Sequence, residues 1–320
     1  MTDFPVPTTI SPEAQGVLAF AAQLPQQPDP APDDVEGWRA LGEAAASDDP
    51  ATVEALALAT TGAVATDVVA TVEPAEVDGA RFYIAEPEDI GSDDDRVLLY
   101  IHGGGFTYGG GATARRSTQL IAANIGVRTW GMDYRQLPQN PYPAGLDDCI
   151  AVYRHLLRTH KPENIAIGGQ SGGANLTAAL LLRARDEGLP LPAGAALISP
   201  CVDFTLAGDT WTTNAFALPG RFENMLELYR DGHELTEPYI SPLFGTFTED
   251  FPPTILTAGT RDFLLSDTVR LHRKLLRAGV RAELHVWEGA QHGMFMGQAP
   301  EDREQIAQVR RFLEDIWTSA

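Results

Sequence analysis

N-I-A-I-G-G-Q-S-G-G-A-N-L, Asn164 to Leu176, is the stretch from which the architecture can be read. Ile165 to Ile167 form a short apolar run that stops at glycines. Ser171 comes next, and then a segment rich in alanine and leucine. That order spells strand, tight turn and helix, with a serine at the apex. Gly169-Gln170-Ser171-Gly172-Gly173 satisfies G-x-S-x-G, the pattern of a nucleophile elbow. The glycines answer a steric demand: the serine takes a strained backbone conformation, and side chains beside it strike the adjoining strand and helix. The helix start behind Ser171 adds a positive partial charge beside the hydroxyl. A glycine-rich turn with an idle serine has the same local pattern, so the rest of the chain has to choose between them.

One βαβ unit upstream, Arg96 to Ile101 is a continuous apolar run typical of a strand buried on both faces. It ends in His102-Gly103-Gly104-Gly105-Phe106. Three consecutive glycines after a central strand leave bare N–H groups projecting into a cleft. Donors aimed where negative charge develops lower a barrier by about 3 kcal/mol each. A merely flexible loop is the plainer alternative. Downstream, Arg128 to Met132 reads as the next strand. Gly145 to His160 carries Leu146, Cys149, Ile150, Tyr153 and Leu157 at helical spacing, which places Cys149 in the core. Ala174 to Ala184 is apolar nearly all round, a helix buried against a sheet. Ala195 to Ile198, Thr254 to Ala258, and the alternating Ala282, Leu284 and Val286 supply further strands. Ser266 is expected to cap a helix through Leu271, Leu275 and Ala278 that stops at Gly279. Ile306, Val309, Leu313 and Ile316 mark the final helix.

These motifs occur in a fixed order: His102–Phe106, Asp133-Tyr134-Arg135, Pro141-Tyr142-Pro143-Ala144, the Ser171 elbow with Asn175-Leu176, and Ser199-Pro200 with Asp203. Tyr239-Ile240-Ser241-Pro242-Leu243 and His292-Gly293 complete the series. The series resembles the hormone-sensitive-lipase family of α/β-hydrolases over about residues 95 to 300. The resemblance implies an α/β fold with a mostly parallel central sheet of about eight strands, helices on both faces and a helical cap. Two departures stand out. The family usually writes the elbow G-D-S-A-G or G-T-S-A-G, where this chain has Gln170 and Gly172. It usually writes Y-R-L-A-P-E, where this chain has Tyr134-Arg135-Gln136-Leu137-Pro138-Gln139.

A serine hydroxyl at neutral pH needs a base within hydrogen-bond reach, itself oriented by a third group. In this fold class the order along the chain is serine, acid, histidine. His292 is the one histidine placed in a loop directly after the last strand. Asp262 lies just after the preceding strand, whereas Asp267, the second choice, falls inside the following helix. One helix and one strand separate Asp262 from His292, which returns both to one edge of the sheet. The expected oxyanion donors are the N–H groups of Gly104, Gly105 and Gly172, with Gly103 shaping the turn. The implied reaction is hydrolysis of short- to medium-chain carboxylic esters through an acyl-enzyme, without metal or organic cofactor. An amidase or lactonase using the same apparatus, and a non-catalytic binding homologue, are the alternatives.

Residues 1–62 differ in composition from the remainder of the chain and read as short helices around Val17 and Leu18, around Val35, Trp38 and Leu41, and from Thr52 to Ala59. Such pieces cannot form a core alone. Phe204 to Pro253 is an insertion bearing Trp211, Phe216, Phe222, Met225, Leu226 and Tyr229. The expectation is a catalytic domain over 63–320, with 1–62 and 204–253 packing together as a cap. Trp38, Phe106, Trp211, Phe216 and Phe222 are the candidate pocket residues.

Composition bounds the partners. Of 320 residues, 44 are acidic and 23 basic, a formal charge of −21, which repels phosphate backbones and anionic lipid. Nucleic-acid and membrane partners are therefore not expected. Two cysteines are too few for a disulfide framework, and no Cys/His cluster suggests a metal. The first ten residues lack the basic and apolar runs of a signal peptide, and no run is long enough to span a bilayer. A cytoplasmic protein is expected, with an edge strand near Leu284 that could support a homodimer.

Overall fold

The computed structural model describes residues 5–23, 29–214 and 222–319; Phe216, one of the candidate pocket residues, lies outside them. Three helices come first, and each starts on a side-chain oxygen that satisfies an orphan backbone donor. In α1 (Pro12–Ala21) Ser11 accepts from Ala14, in α2 (Val35–Ala45) Asp34 accepts from Gly37, and in α3 (Pro50–Thr61) Asp49 accepts from Thr52. The hairpin β1 (Ala70–Val77) and β2 (Ala80–Pro87) turns over Asp78-Gly79, both with positive φ, as a two-residue turn requires. The run Val68 to Val72 reads as a strand in the sequence, but β1 starts at Ala70 and continues through Glu73-Pro74-Ala75-Glu76. It is an edge strand, so pairing with β2, not its own composition, sets its length, and the edge tolerates Pro74.

The alternating part comes next: β3 (Val97–Ile101), α4 (Ala112–Ile125), β4 (Arg128–Asp133), α5 (Ala144–Leu156), β5 (Ile165–Gln170), α6 (Gly172–Asp186) and β6 (Gly194–Ile198). After the insertion, with α7 (Thr210–Thr213) and α8 (Glu223–Arg230), come β7 (Thr254–Arg261), α9 (Leu265–Arg277), β8 (Ala282–Gln291) and α10 (Pro300–Ser319). The eight strands form one sheet in the order β1-β2-β4-β3-β5-β6-β7-β8, with β2 antiparallel to both neighbours and every pair from β4 to β8 parallel.

Because strand side chains alternate, β3 feeds two cores. Val97, Leu99 and Ile101 join the core built with α5, α6 and α9. Leu98 and Tyr100 join the opposite one, with Leu120, Ile121, Val309, Phe312 and Leu313. Ser266 does not cap α9; Leu264 holds that position, and the Ser266 hydroxyl accepts instead from the Thr210 N–H.

The N-terminal helices pack in three different places. Ala57 of α3 is buried in the second core. Ile10 together with Ala14, Val17 and Leu18 of α1 packs on Ala290, Met294, Phe295 and Ala299, the segment around His292. Trp38 of α2 reaches the first core, its indole N–H donating to the Ala31 carbonyl at 2.9 Å. In the insertion, Met225, Leu226 and Tyr229 are buried in that same core.

Candidate active site

Parallel strands deliver their C-terminal ends to one edge of a sheet, and there the loops after β3, β5, β7 and β8 meet. Ser171 links β5 to α6 with φ +55° and ψ −119°, a region that a non-glycine residue enters only when its surroundings hold it. Its N–H donates to the Ile198 carbonyl at 2.9 Å. The glycines beside it are sterically fixed: a Cβ on Gly169 would stand 2.6 Å from the Ile101 carbonyl oxygen, and one on Gly173 would press into the carbonyls of Ile101 and His102.

His292 Nε2 lies 2.9 Å from Ser171 Oγ, and its Nδ1 lies 3.1 Å from Asp262 Oδ1. Asp262 is wholly buried at the end of β7, and its Oδ1 also accepts from the Leu264 N–H at 2.9 Å. Burial alone raises this carboxyl's pKa. The charge of His292 and hydrogen bonds from His292, Ser199 and Leu264 outweigh that, holding it below the usual carboxylate range. Asp267 is not part of this chain of contacts. Its Oδ2 accepts from the N–H groups of Val202 and Asp203 at 3.0 Å each, pinning the segment that leads out of β6. Burial pushes its pKa up to about 7, the two backbone donors and Arg270 opposing and Asp203 adding to the rise.

The glycine loop is held from three sides. The Gly103 N–H donates to the Thr60 carbonyl at 2.8 Å, while Gly104 O accepts from the N–H groups of Thr107 and Tyr108. His102 stacks on Tyr134, whose hydroxyl donates to the His102 carbonyl. Burial lowers the His102 pKa, and its Nδ1 pairs with the Gly103 carbonyl at 2.7 Å, so the ring is a neutral brace. Gly104 and Gly105 adopt φ +106° and +56°. Their N–H groups, and that of Gly172 at the start of α6, have no acceptor among the described residues. Asn175 ties the elbow helix to the insertion by donating to the carbonyls of Cys201 and Ile240.

Around Ser171 lies a cavity of about 410 Å³, lined by Trp38, Phe106, Trp211 and Phe222 among others. Phe106 stacks on Tyr229 at 4.0 Å between ring centroids. Sequence reasoning missed Phe263, whose ring lies 4.6 Å from His292 and 4.4 Å from Phe222; its only sequence signal was its place beside Asp262. Ala59 and Thr60 also line the cavity and carried no local signal; Gln170 lines it too, marked in the sequence only as a departure from the family's elbow. Cys201 lines it too, but burial raises its thiol well above the usual range, so it stays protonated at neutral pH. Cys149 is a core residue with no exposure. Among the described residues no group of His, Cys, Asp and Glu could hold a metal ion.

A model of the alpha/beta hydrolase fold family matches residues 98–296. An acetyl-hydrolase of Streptomyces hygroscopicus is 32% identical over 227 residues, 69% of this chain and 76% of that protein. Among solved structures, an esterase named E25 superposes with a TM-score of 0.82 at 32% identity, covering 98% of this chain and 97% of its own. An esterase described as from the bacterial hormone-sensitive lipase family superposes at 0.74 with 30% identity, covering 96% and 99%. With its motifs in that family's order and its sheet in that topology, the chain belongs to the α/β-hydrolases, in their bacterial hormone-sensitive-lipase branch.

Proposed function

We propose that the protein is a serine carboxylesterase that hydrolyses short- to medium-chain esters through an acyl-enzyme. The observation that carries this is the run of contacts from Ser171 Oγ to His292 Nε2 at 2.9 Å and from His292 Nδ1 to Asp262 at 3.1 Å. In this reading Ser171 Oγ attacks the ester carbonyl as His292 Nε2 takes its proton. Asp262, ionised and buried, holds the imidazole with its Nδ1 protonated and balances the imidazolium that forms. The free N–H groups of Gly104, Gly105 and Gly172 receive the oxyanion. His292 returns the proton to the leaving alcohol, and water then releases the acid by the same route in reverse.

A cavity of about 410 Å³, roofed by Trp38, Trp211 and Phe222, favours a short acyl chain over a long one. The cap is narrower in this reading than residues 1–62 and 204–253 together: α2 and the insertion form it, α1 and α3 pack elsewhere, and the sheet with its flanking helices forms the catalytic body. Among the described residues no helix is long and apolar enough to cross a membrane. A cytoplasmic location and a homodimer along the edge strand β8, where Val286 is exposed, complete the proposal. A panel of p-nitrophenyl esters with graded acyl chains, with a p-nitroanilide beside it, tests the activity. Turnover highest on short chains and negligible on the anilide is the expected result; an anilide cleaved as fast as the esters assigns an amidase instead.

A further inference from the structure

Ala59, Gln170 and Gly293 come from three distant parts of the chain and meet at one wall of the cavity. Gln170 ends β5, directly precedes Ser171 and is 1% exposed. Its Oε1 receives no hydrogen bond among the described residues. A buried carboxamide oxygen without a donor is costly, so this side chain is held in place for a reason other than its own oxygen's satisfaction. Gly293 comes directly after His292 with φ +80°, a conformation that suits glycine. The point where its Cβ would stand lies 3.7 Å from Gln170 Nε2 and 3.5 Å from the Ala59 carbonyl oxygen. That carbonyl belongs to the last turn of α3, where helical carbonyls lose their intrahelical donors. The space beside His292 is thus edged by a carboxamide and a carbonyl, in a cavity whose other walls carry Trp38, Trp211, Phe222 and Phe263. Two to four polar partners are what an ordered water requires.

We propose that this polar corner seats the water that hydrolyses the acyl-enzyme, with Gln170 as the residue that positions it. The inference rests on the serine-esterase reading above. As the water oxygen bonds to the acyl carbon, one of its protons passes to His292 Nε2. The bond from that carbon to Ser171 Oγ then breaks, and Oγ takes the proton back. Gln170 offers this water its Nε2 donor, and the Ala59 carbonyl offers an acceptor, without adding a second negative charge beside the imidazole. Acylation uses no such water, so Gln170 acts on deacylation alone. The Ala59 carbonyl brings the N-terminal segment into the same step.

Stopped-flow kinetics with p-nitrophenyl acetate separate the two steps, the burst reporting acylation and the steady phase deacylation. In Gln170→Met the burst rate should stay within about twofold of wild type while the steady rate falls about tenfold, the order of one hydrogen bond to the reacting water. The rate of Ser171 labelling by a fluorophosphonate should be unchanged. Equal slowing of both phases, no slowing of either, or impaired labelling overturns the assignment. Should the methionine variant fail to fold, Gln170→Ala is read by the same criteria. A wild-type protein that takes no label contradicts the esterase reading itself, which separates the two failures.

Discussion

The peptide N–H of Gly103 donates to the carbonyl of Thr60 at 2.8 Å, so the glycine loop facing Ser171 hangs from the last turn of α3. A segment that composition alone sets apart from the catalytic body is therefore tied into the site. Removal of residues 1–45 keeps α3 and this bond but strips α1 from Met294, Phe295 and Ala299, which are at most 1% exposed. The truncated protein should be less soluble, since contiguous apolar surface favours association, and should lose kcat/KM as the loop carrying His292 loosens. Size-exclusion chromatography and ester kinetics on both proteins check this. Unchanged behaviour in both would make α1 and α2 dispensable.

Gly173→Ala tests the elbow's sterics. The added methyl meets the carbonyls of Ile101 and His102, backbone atoms of a central strand and the loop after it, which cannot swing aside. The expected loss is on the order of 3 kcal/mol or more, read as a lower urea midpoint or failure to express in soluble form. An alanine variant as stable as wild type would show that the strand and helix are not closely apposed at this point.

Asp267 makes stability depend on pH. Its pKa is raised by burial to about 7, so the folded state binds the proton more tightly than the unfolded chain does. The stabilisation is fully present below the unfolded value of about 3.9 and is lost as pH rises through about 7. Asp262 runs the opposite way: its lowered pKa contributes stability above the ordinary carboxylate value that is lost as pH falls through the folded one. Asp267→Asn keeps an acceptor for Val202 and Asp203 and removes the titration. Urea unfolding of the variant should therefore decline less than wild type between pH 5 and pH 8. Parallel profiles would remove Asp267 from this role.

Much of this arrangement was legible because it lies in short local patterns. The glycines around Ser171, the all-apolar β3 and the placement of Asp262 and His292 after successive strands each need only a few neighbouring residues. The features that escaped depend on partners far along the chain. β1 extends through Glu73-Pro74-Ala75-Glu76 because β2 pairs with it. Ser266 binds Thr210 of the insertion instead of capping its own helix. Phe263 reads as filler beside Asp262 until its ring is found between His292 and Phe222. The three N-terminal helices look like one unit in composition, yet each faces a different surface, and no local pattern encodes that.

Phe222→Ala should widen chain-length tolerance. Its ring lines the cavity and packs on Phe263 at 4.4 Å and on Trp211 at 5.4 Å. With the ring removed, the ratio of kcat/KM for octanoate over acetate p-nitrophenyl esters should rise, by roughly 0.8 kcal/mol of binding per methylene that gains cover. A ratio that stays put would place the acyl chain elsewhere in the cavity.

The central claim is that Ser171, activated by His292, is the nucleophile. Intact-mass spectrometry after incubation with a fluorophosphonate tests it most directly. The wild type should gain one adduct, mapped to Ser171, and His292→Ala should label far more slowly. Ser171→Ala should take none, with kcat reduced on the order of 10⁴-fold or more. An adduct on another residue, or a Ser171→Ala variant that still labels and turns over at a tenth of the wild-type rate, would contradict the account.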